Sequence, residues 1–125
     1  MIIAVDFDGT CVTHAYPGIG EDIGAVPVLK DLVAQGHNLI IWTMRSGDEL
    51  AQACKWFDQH DIPFIGANEN PQQATWTSSP KAYAHCYIDD AALGCPLVYP
   101  EGKRPHVNWT KMRHLLMTHG YLKRF

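Results

Sequence analysis

Apolar positions fall in short unbroken runs separated by stretches of helical period. Ile2-Ile3-Ala4-Val5 is such a run, the pattern of a strand buried on both faces inside a parallel sheet. A second strand is predicted over Asn38–Thr43, built on Leu39-Ile40-Ile41-Trp42. A short third follows at Ile62–Gly66, with Pro63 keeping its first residues out of a central ladder. Ala84–Asp90 reads as a fourth strand and Leu97-Val98-Tyr99 as a short fifth.

Between these runs, Ile23, Val26, Leu29, Leu32 and Val33 recur at helical spacing, with Pro27 near the start and Gly36 at the end. Leu50, Ala53, Cys54 and Phe57 mark a second helix, opened by Ser46 with Glu49 three positions later, the spacing of a capping box. A closing helix is expected from the cap Asn108, with Trp109, Met112, Leu115 and Leu116 inward and Gly120 as its stop. Residues 11–22 and 67–80 carry no period and read as loops.

Strands alternating with helices predict an α/β fold with right-handed crossovers around a mostly parallel sheet. Ligands of such sheets bind beyond the carboxyl ends of the strands. Three of the predicted strands deliver polar groups to that edge: Asp6 and Asp8, Thr43, and Asp89 with Asp90. The third runs out into Gly66-Ala67 instead. Strand alternation, continued past Val5, puts Asp6 and Asp8 on one side. Carboxylates grouped beside a core are costly unless a cation compensates them, so a metal is expected there.

These residues carry a resemblance. Asp6-Phe7-Asp8-Gly9-Thr10 resembles the first motif of the haloacid dehalogenase (HAD) superfamily. Thr43, Lys81 and the pair Asp89-Asp90 match its second, third and fourth motifs, in order and on the expected elements. The resemblance implies a HAD-like Rossmannoid three-layer sandwich and a Mg²⁺-dependent phosphomonoester hydrolase. Asp6 would be the nucleophile that forms an aspartyl-phosphate, and Asp8 the general acid and base. Asp6, Asp8 (through its backbone carbonyl) and Asp89 would hold Mg²⁺, with Asp90 a further ligand or acting through water. Thr43 and Lys81 would bind the transferring phosphoryl oxygens, with Arg45 a further phosphate contact or a partner of Asp48 or Glu49. A phosphotransferase or mutase using the same intermediate, and a HAD module that binds a phosphorylated ligand without turnover, are the alternatives.

The lengths between motifs leave no room for a cap domain. About a dozen loop residues follow the first motif, and only a helix, a strand and the 67–80 segment separate the second from the third. The chain resembles small capless members in particular, with Tyr16-Pro17-Gly18-Ile19-Gly20 matching a Tyr-Pro-x-x-Gly segment. A site left open in this way suits bulky substrates, or a lid lent by a second copy of the chain. Tyr16, Trp76 and His14 are the candidates for shaping its entrance.

Composition narrows the picture further. The 125 residues predict one domain over 1–125, and a hydrophobic fraction of 46% beside 18% charged residues is that of a soluble globular protein. A formal charge of −3 without a basic block gives no support for nucleic-acid binding. Lys103, Arg104, Lys111, Arg113, Lys123 and Arg124 read as solvated surface. No leader and no stretch of membrane-spanning length is evident, so a cytoplasmic protein without a membrane partner is expected. Cys11, Cys54, Cys86 and Cys95 lack zinc spacing, and only Cys11, beside the first motif, invites a redox reading.

Overall fold

The computed structural model describes residues 1–123, so Arg124 of the basic group named above lies outside the described residues. Its elements run β1 (Ile2–Val5), α1 (Ala25–Ala34), β2 (Asn38–Ile41), α2 (Gly47–Gln59), β3 (Gly66–Ala67), β4 (Cys86–Ile88), β5 (Leu97–Val98), β6 (His106–Val107) and α3 (Trp109–Thr118). Four strands form one sheet in the order β3-β2-β1-β4, and every pair in it is parallel. The α/β architecture expected from the sequence is the one observed.

β1 is central because all four of its residues are buried, and it pairs with β2 on one side and β4 on the other. The chain steps outward from β1 to β2 to β3, then returns across the sheet to lay β4 on the far side of β1. The switch point therefore lies between β1 and β4. Alternation along the strands divides the apolar residues between two faces. Ile3, Val5, Leu39, Ile41 and Ile88 pack with Leu29 and Leu32 of α1, Phe57 of α2, and Met112 and Leu116 of α3. Ile2, Ala4 and Ile40 face the other way and meet Ala84, Trp42 and Ile65.

Among the described residues no helix covers that second face. Its cover is the return crossover, residues 68–85: the stretch to 80 is irregular as expected, and the fourth strand begins at Cys86 rather than Ala84. Two buried amides hold it together. Asn70 Nδ2 donates to the Tyr83 carbonyl, and Gln73 Nε2 donates to the carbonyls of Ser79 and Lys81. Gln73 Oε1 in turn accepts from the Tyr83 amide at 2.7 Å. A segment without its own ladder must satisfy its peptide groups some other way, and these side chains do so.

Several boundaries differ from expectation, each for a local reason. The third strand pairs only at Gly66–Ala67, because Pro63 has no N–H and the first ladder bond comes from the Ile65 amide to Leu39. Ser46 is the N-cap of α2 but makes no side-chain capping bond; Asp48 and Glu49 support the first turn by charge alone. β5 does not join the main sheet, and instead pairs antiparallel with β6, a strand the apolar pattern did not mark. Asn108 caps α3 as expected, accepting from the Lys111 amide at 3.1 Å. Arg113 leaves the group read as free surface, because it pairs with Asp31 of α1 at 2.8 Å.

Candidate metal and phosphoryl site

The loop after β1 is wound around one carbonyl. The amides of Thr10, Cys11 and Val12 all donate to the Phe7 oxygen, and Gly9 turns the chain at a φ of 78°. That turn ends the strand's alternation, so Asp6 and Asp8 point to different partners. This corrects the reading from alternation that the two carboxylates share one partner; the metal contact expected of Asp8 is through its backbone carbonyl, not its side chain.

Asp6 keeps its main chain in the ladder, its amide donating to the Ile88 carbonyl at 2.9 Å. Asp89 and Asp90 follow the end of β4, the neighbouring strand across the switch point. Oxygens of Asp6, Asp89 and Asp90 lie within 4.8 Å of one another. Thr10, fully buried, ties the cluster together: its hydroxyl donates to Asp6 Oδ2 at 2.7 Å and accepts from the Asp90 amide at 3.0 Å. The Thr10 carbonyl is itself fixed by the indole N–H of Trp109 at 2.7 Å.

Crowding these acids has the expected electrostatic cost. Burial, with repulsion from Asp89, raises the Asp6 pKa to about 8 against the pull of the Thr10 hydrogen bond. Burial and the closeness of Asp90 push Asp89 upward as well. One nitrogen base meets the group: His14 Nε2 lies 3.1 Å from Asp90 Oδ2. Glycine at position 9 is what admits this contact, since a Cβ there would stand 2.1 Å from His14 Nε2 and 2.4 Å from Asp90 Oδ2.

Asp8 has the opposite surroundings. Its two oxygens accept from Arg45 Nε and Nη2, each at 2.8 Å, in a bidentate pair. Arg45 is 1% exposed and spends its remaining N–H groups on the carbonyls of Pro17, Gly18 and Glu49. Its guanidinium lies between the rings of Phe7 and Tyr16, 5.1 and 5.2 Å from their centroids. Pairing with Asp8 raises the Arg45 pKa despite burial. Two readings are thereby corrected. Arg45 has no donor left for a substrate phosphate, and its acidic partner is Asp8 rather than Asp48 or Glu49. The Asp8 carboxylate does not belong to the acidic cluster.

Thr43 reaches the expected place. With Asp6, Trp42, Met44, Asn68 and Asp89 it lines a cavity of about 280 Å³ at the carboxyl ends of the strands. Its hydroxyl accepts from the Arg45 amide at 3.2 Å, which leaves its own hydrogen to donate into the cavity. Asn68 was missed because Gly66-Ala67 looked like an empty strand end. It sits just past β3 at a φ of 57°, accepts from the Thr43 amide at 2.8 Å and donates to the Arg45 carbonyl. An asparagine directly after a strand, tolerant of the left-handed region, was the available signal.

Lys81 is not brought to the cluster. Its ammonium lies over the ring of Tyr87, 5.6 Å from the centroid, among Trp76, Ser79 and Tyr83 of the crossover. Tyr87 projects from the helix-free face, and Lys81 follows it there. Trp76 packs edge-on against Tyr83 in the same place, so it does not line the cavity. Cys11 is fully buried, donates its thiol to the Asp6 carbonyl, and is pushed well above its usual pKa by burial. That is the environment of an inert thiol.

Fold and site together describe a small Rossmann-like α/β protein with an acidic cluster at its topological switch point. No family model matches the chain, and no curated protein does either. Among solved structures it is similar to a conserved protein from Bacteroides thetaiotaomicron, with 36% identity and a TM-score of 0.77. The match covers 95% of this chain and 91% of that one. At that identity over nearly the whole of both chains, this protein belongs to the same family as the Bacteroides protein.

Proposed function

We propose that the protein is a metal-dependent phosphomonoester hydrolase of HAD type, acting through Asp6. The observation that carries this reading is the cluster of Asp6, Asp89 and Asp90, three carboxylates gathered within 4.8 Å at one sheet edge with no lysine or arginine among the described residues paired to them. A donor set made only of carboxylate oxygens fits a hard divalent ion, and Mg²⁺ is the ion proposed. When bound, it supplies positive charge against the three acids and the phosphoryl oxygens.

The residues divide the remaining work. Asp6 attacks phosphorus in line; the bond from phosphorus to the ester oxygen breaks, and the departing oxygen takes up the proton of Asp8. Water then attacks phosphorus of the acyl phosphate, giving its proton back to Asp8, releasing phosphate and restoring the Asp6 carboxylate. Thr43 donates its hydroxyl hydrogen to a phosphoryl oxygen. Thr10 orients Asp6 through its 2.7 Å hydrogen bond, and Asn68 holds the Thr43 backbone in place. Asp8 serves as acid and base only after one of its oxygens leaves Arg45, so that proton transfer is coupled to a rearrangement of the pair.

The last point favours a second reading. With its acid and base group held by five-bonded Arg45, the site can also serve as a phospho-ligand-binding module without turnover. The two are separated by phosphate release from an aryl phosphate with and without Mg²⁺, for the wild type and Asp6→Asn. Metal-dependent release that disappears with Asp6→Asn supports the hydrolase. Mg²⁺-dependent binding of phosphate with no release supports the module.

A further inference from the structure

The cavity that would receive the phosphoryl group also carries features that catalysis does not use. Trp42 forms one wall beside Thr43, half-buried, with its other side in the apolar cluster of the helix-free face. Met44 stands at the same cavity and is 99% exposed, so it packs against nothing in the chain. Next along the chain is Arg45, and on its guanidinium lies the ring of Tyr16, itself 62% exposed. An exposed Met44 and a half-buried Trp42 therefore line an otherwise polar and acidic cavity.

The charged groups point the same way by their arrangement. Asp6 and Asp89 line the cavity, and among the described residues no lysine or arginine does. Arg45 has committed its N–H groups to Asp8 and to three carbonyls, and Lys81 lies over Tyr87. A second anionic group on the substrate would find no partner here and would face the aspartates. A small polar leaving group would leave Trp42 and Met44 in water. A flat apolar group would cover both, and a methionine thioether packs well on aromatic rings. The volume of about 280 Å³ suits one ring with its phosphate.

We propose, building on the phosphomonoesterase reading, that Trp42 and Met44 form the leaving-group subsite. It selects monoesters whose leaving group is an uncharged aromatic ring over small polar or doubly anionic phosphates.

The test compares kcat/KM for phenyl phosphate and glycerol phosphate in the presence of Mg²⁺, for the wild type and Met44→Ala. Because Met44 packs against nothing, its truncation leaves folding intact. The intrinsic reactivity of the two esters is the same for both proteins, so it cancels when the ratio is compared between them, and the ratio should fall roughly five- to tenfold in the variant. Trp42→Leu should lower it further. Binding of phenylphosphonate, which cannot be hydrolysed, should weaken by a similar factor in Met44→Ala, while methylphosphonate binding should not change. Turnover of both esters with an unchanged ratio overturns the subsite and leaves the hydrolase reading standing. Preferential phenylphosphonate binding without turnover supports the subsite on a binding module instead. Neither turnover nor phosphonate binding overturns both.

Discussion

Two groups of carboxylates sit a few residues apart at the same sheet edge, and their surroundings could hardly differ more. Asp8 is met by a guanidinium with every N–H engaged, while Asp6, Asp89 and Asp90 meet one another and a single histidine. Folding alone can account for the first arrangement, because a buried ion pair with all its hydrogen bonds made closes a loop. The second raises the Asp6 pKa to about 8 through burial and repulsion from Asp89, with the Thr10 hydroxyl as its tie to the fold. The proposed metal site rests on that contrast.

The contrast breaks most severely at Arg45. Arg45→Met should remove about 3 kcal/mol or more of stability, since it strands Asp8 and three carbonyls without donors. Chemical denaturation would measure it. Asp8→Asn in that background should recover part of the loss, because the stranded charge is gone. A variant as stable as the wild type would show that the pair is not the anchor described.

An effect of intermediate size is expected from pH and metal. Asp6 is an acid whose folded pKa, about 8, lies above its ordinary value of 3.8. Between those values the folded state holds a proton that the unfolded state has released, so stability falls as pH rises through that window. In EDTA the thermal midpoint should therefore drop between pH 5 and pH 8 through this group. Mg²⁺ should restore it more at pH 8 than at pH 5, where ion and proton compete for the same oxygens. A midpoint that ignores Mg²⁺ at both pH values would count against the metal site.

The smallest effect sharpens the comparison. Thr10→Val keeps the shape but removes both hydrogen bonds of the hydroxyl, costing about 1–2 kcal/mol. It should also move the Asp6 pKa further up, because that hydrogen bond is what holds it down. Carboxyl NMR titration of the metal-free protein reads this directly; an unmoved or lowered Asp6 would contradict the role assigned to Thr10.

Much of this was legible in the chain. Ile2–Val5 and Leu39–Ile41 announce themselves because a strand buried on both faces has no polar face to confuse its reading. The strand-end acids Asp6, Asp89 and Asp90 were legible for the same reason, since a charge directly after such a run has to be placed somewhere. What escaped were relations between residues far apart in sequence. Asp8 and Arg45 are 37 positions apart, and His14 and Asp90 are 76, and no local pattern encodes either pairing. The alternation argument failed at Asp8 because it extended a strand through a turn closed on the Phe7 carbonyl. Lys81 was placed by its position before β4, whereas the face of the sheet it follows is decided by Tyr87.

The helix-free face has a consequence for how the molecule fails. A helical cover frays from its ends and keeps its middle, because each turn carries its own bonds. The crossover over Ile2, Ala4 and Ile40 has no helical ladder: Asn70 and Gln73 tie its arms together, Gln73 at three points, beside a local turn at 73–77 and a bond from the Tyr87 hydroxyl to Ala82. Losing the Gln73 amide removes three of those ties at once and should loosen the cover over strand residues flanked by Trp42 and Tyr87. A buried polar side chain of the crossover, and not only the larger core, therefore guards against exposing strand surface.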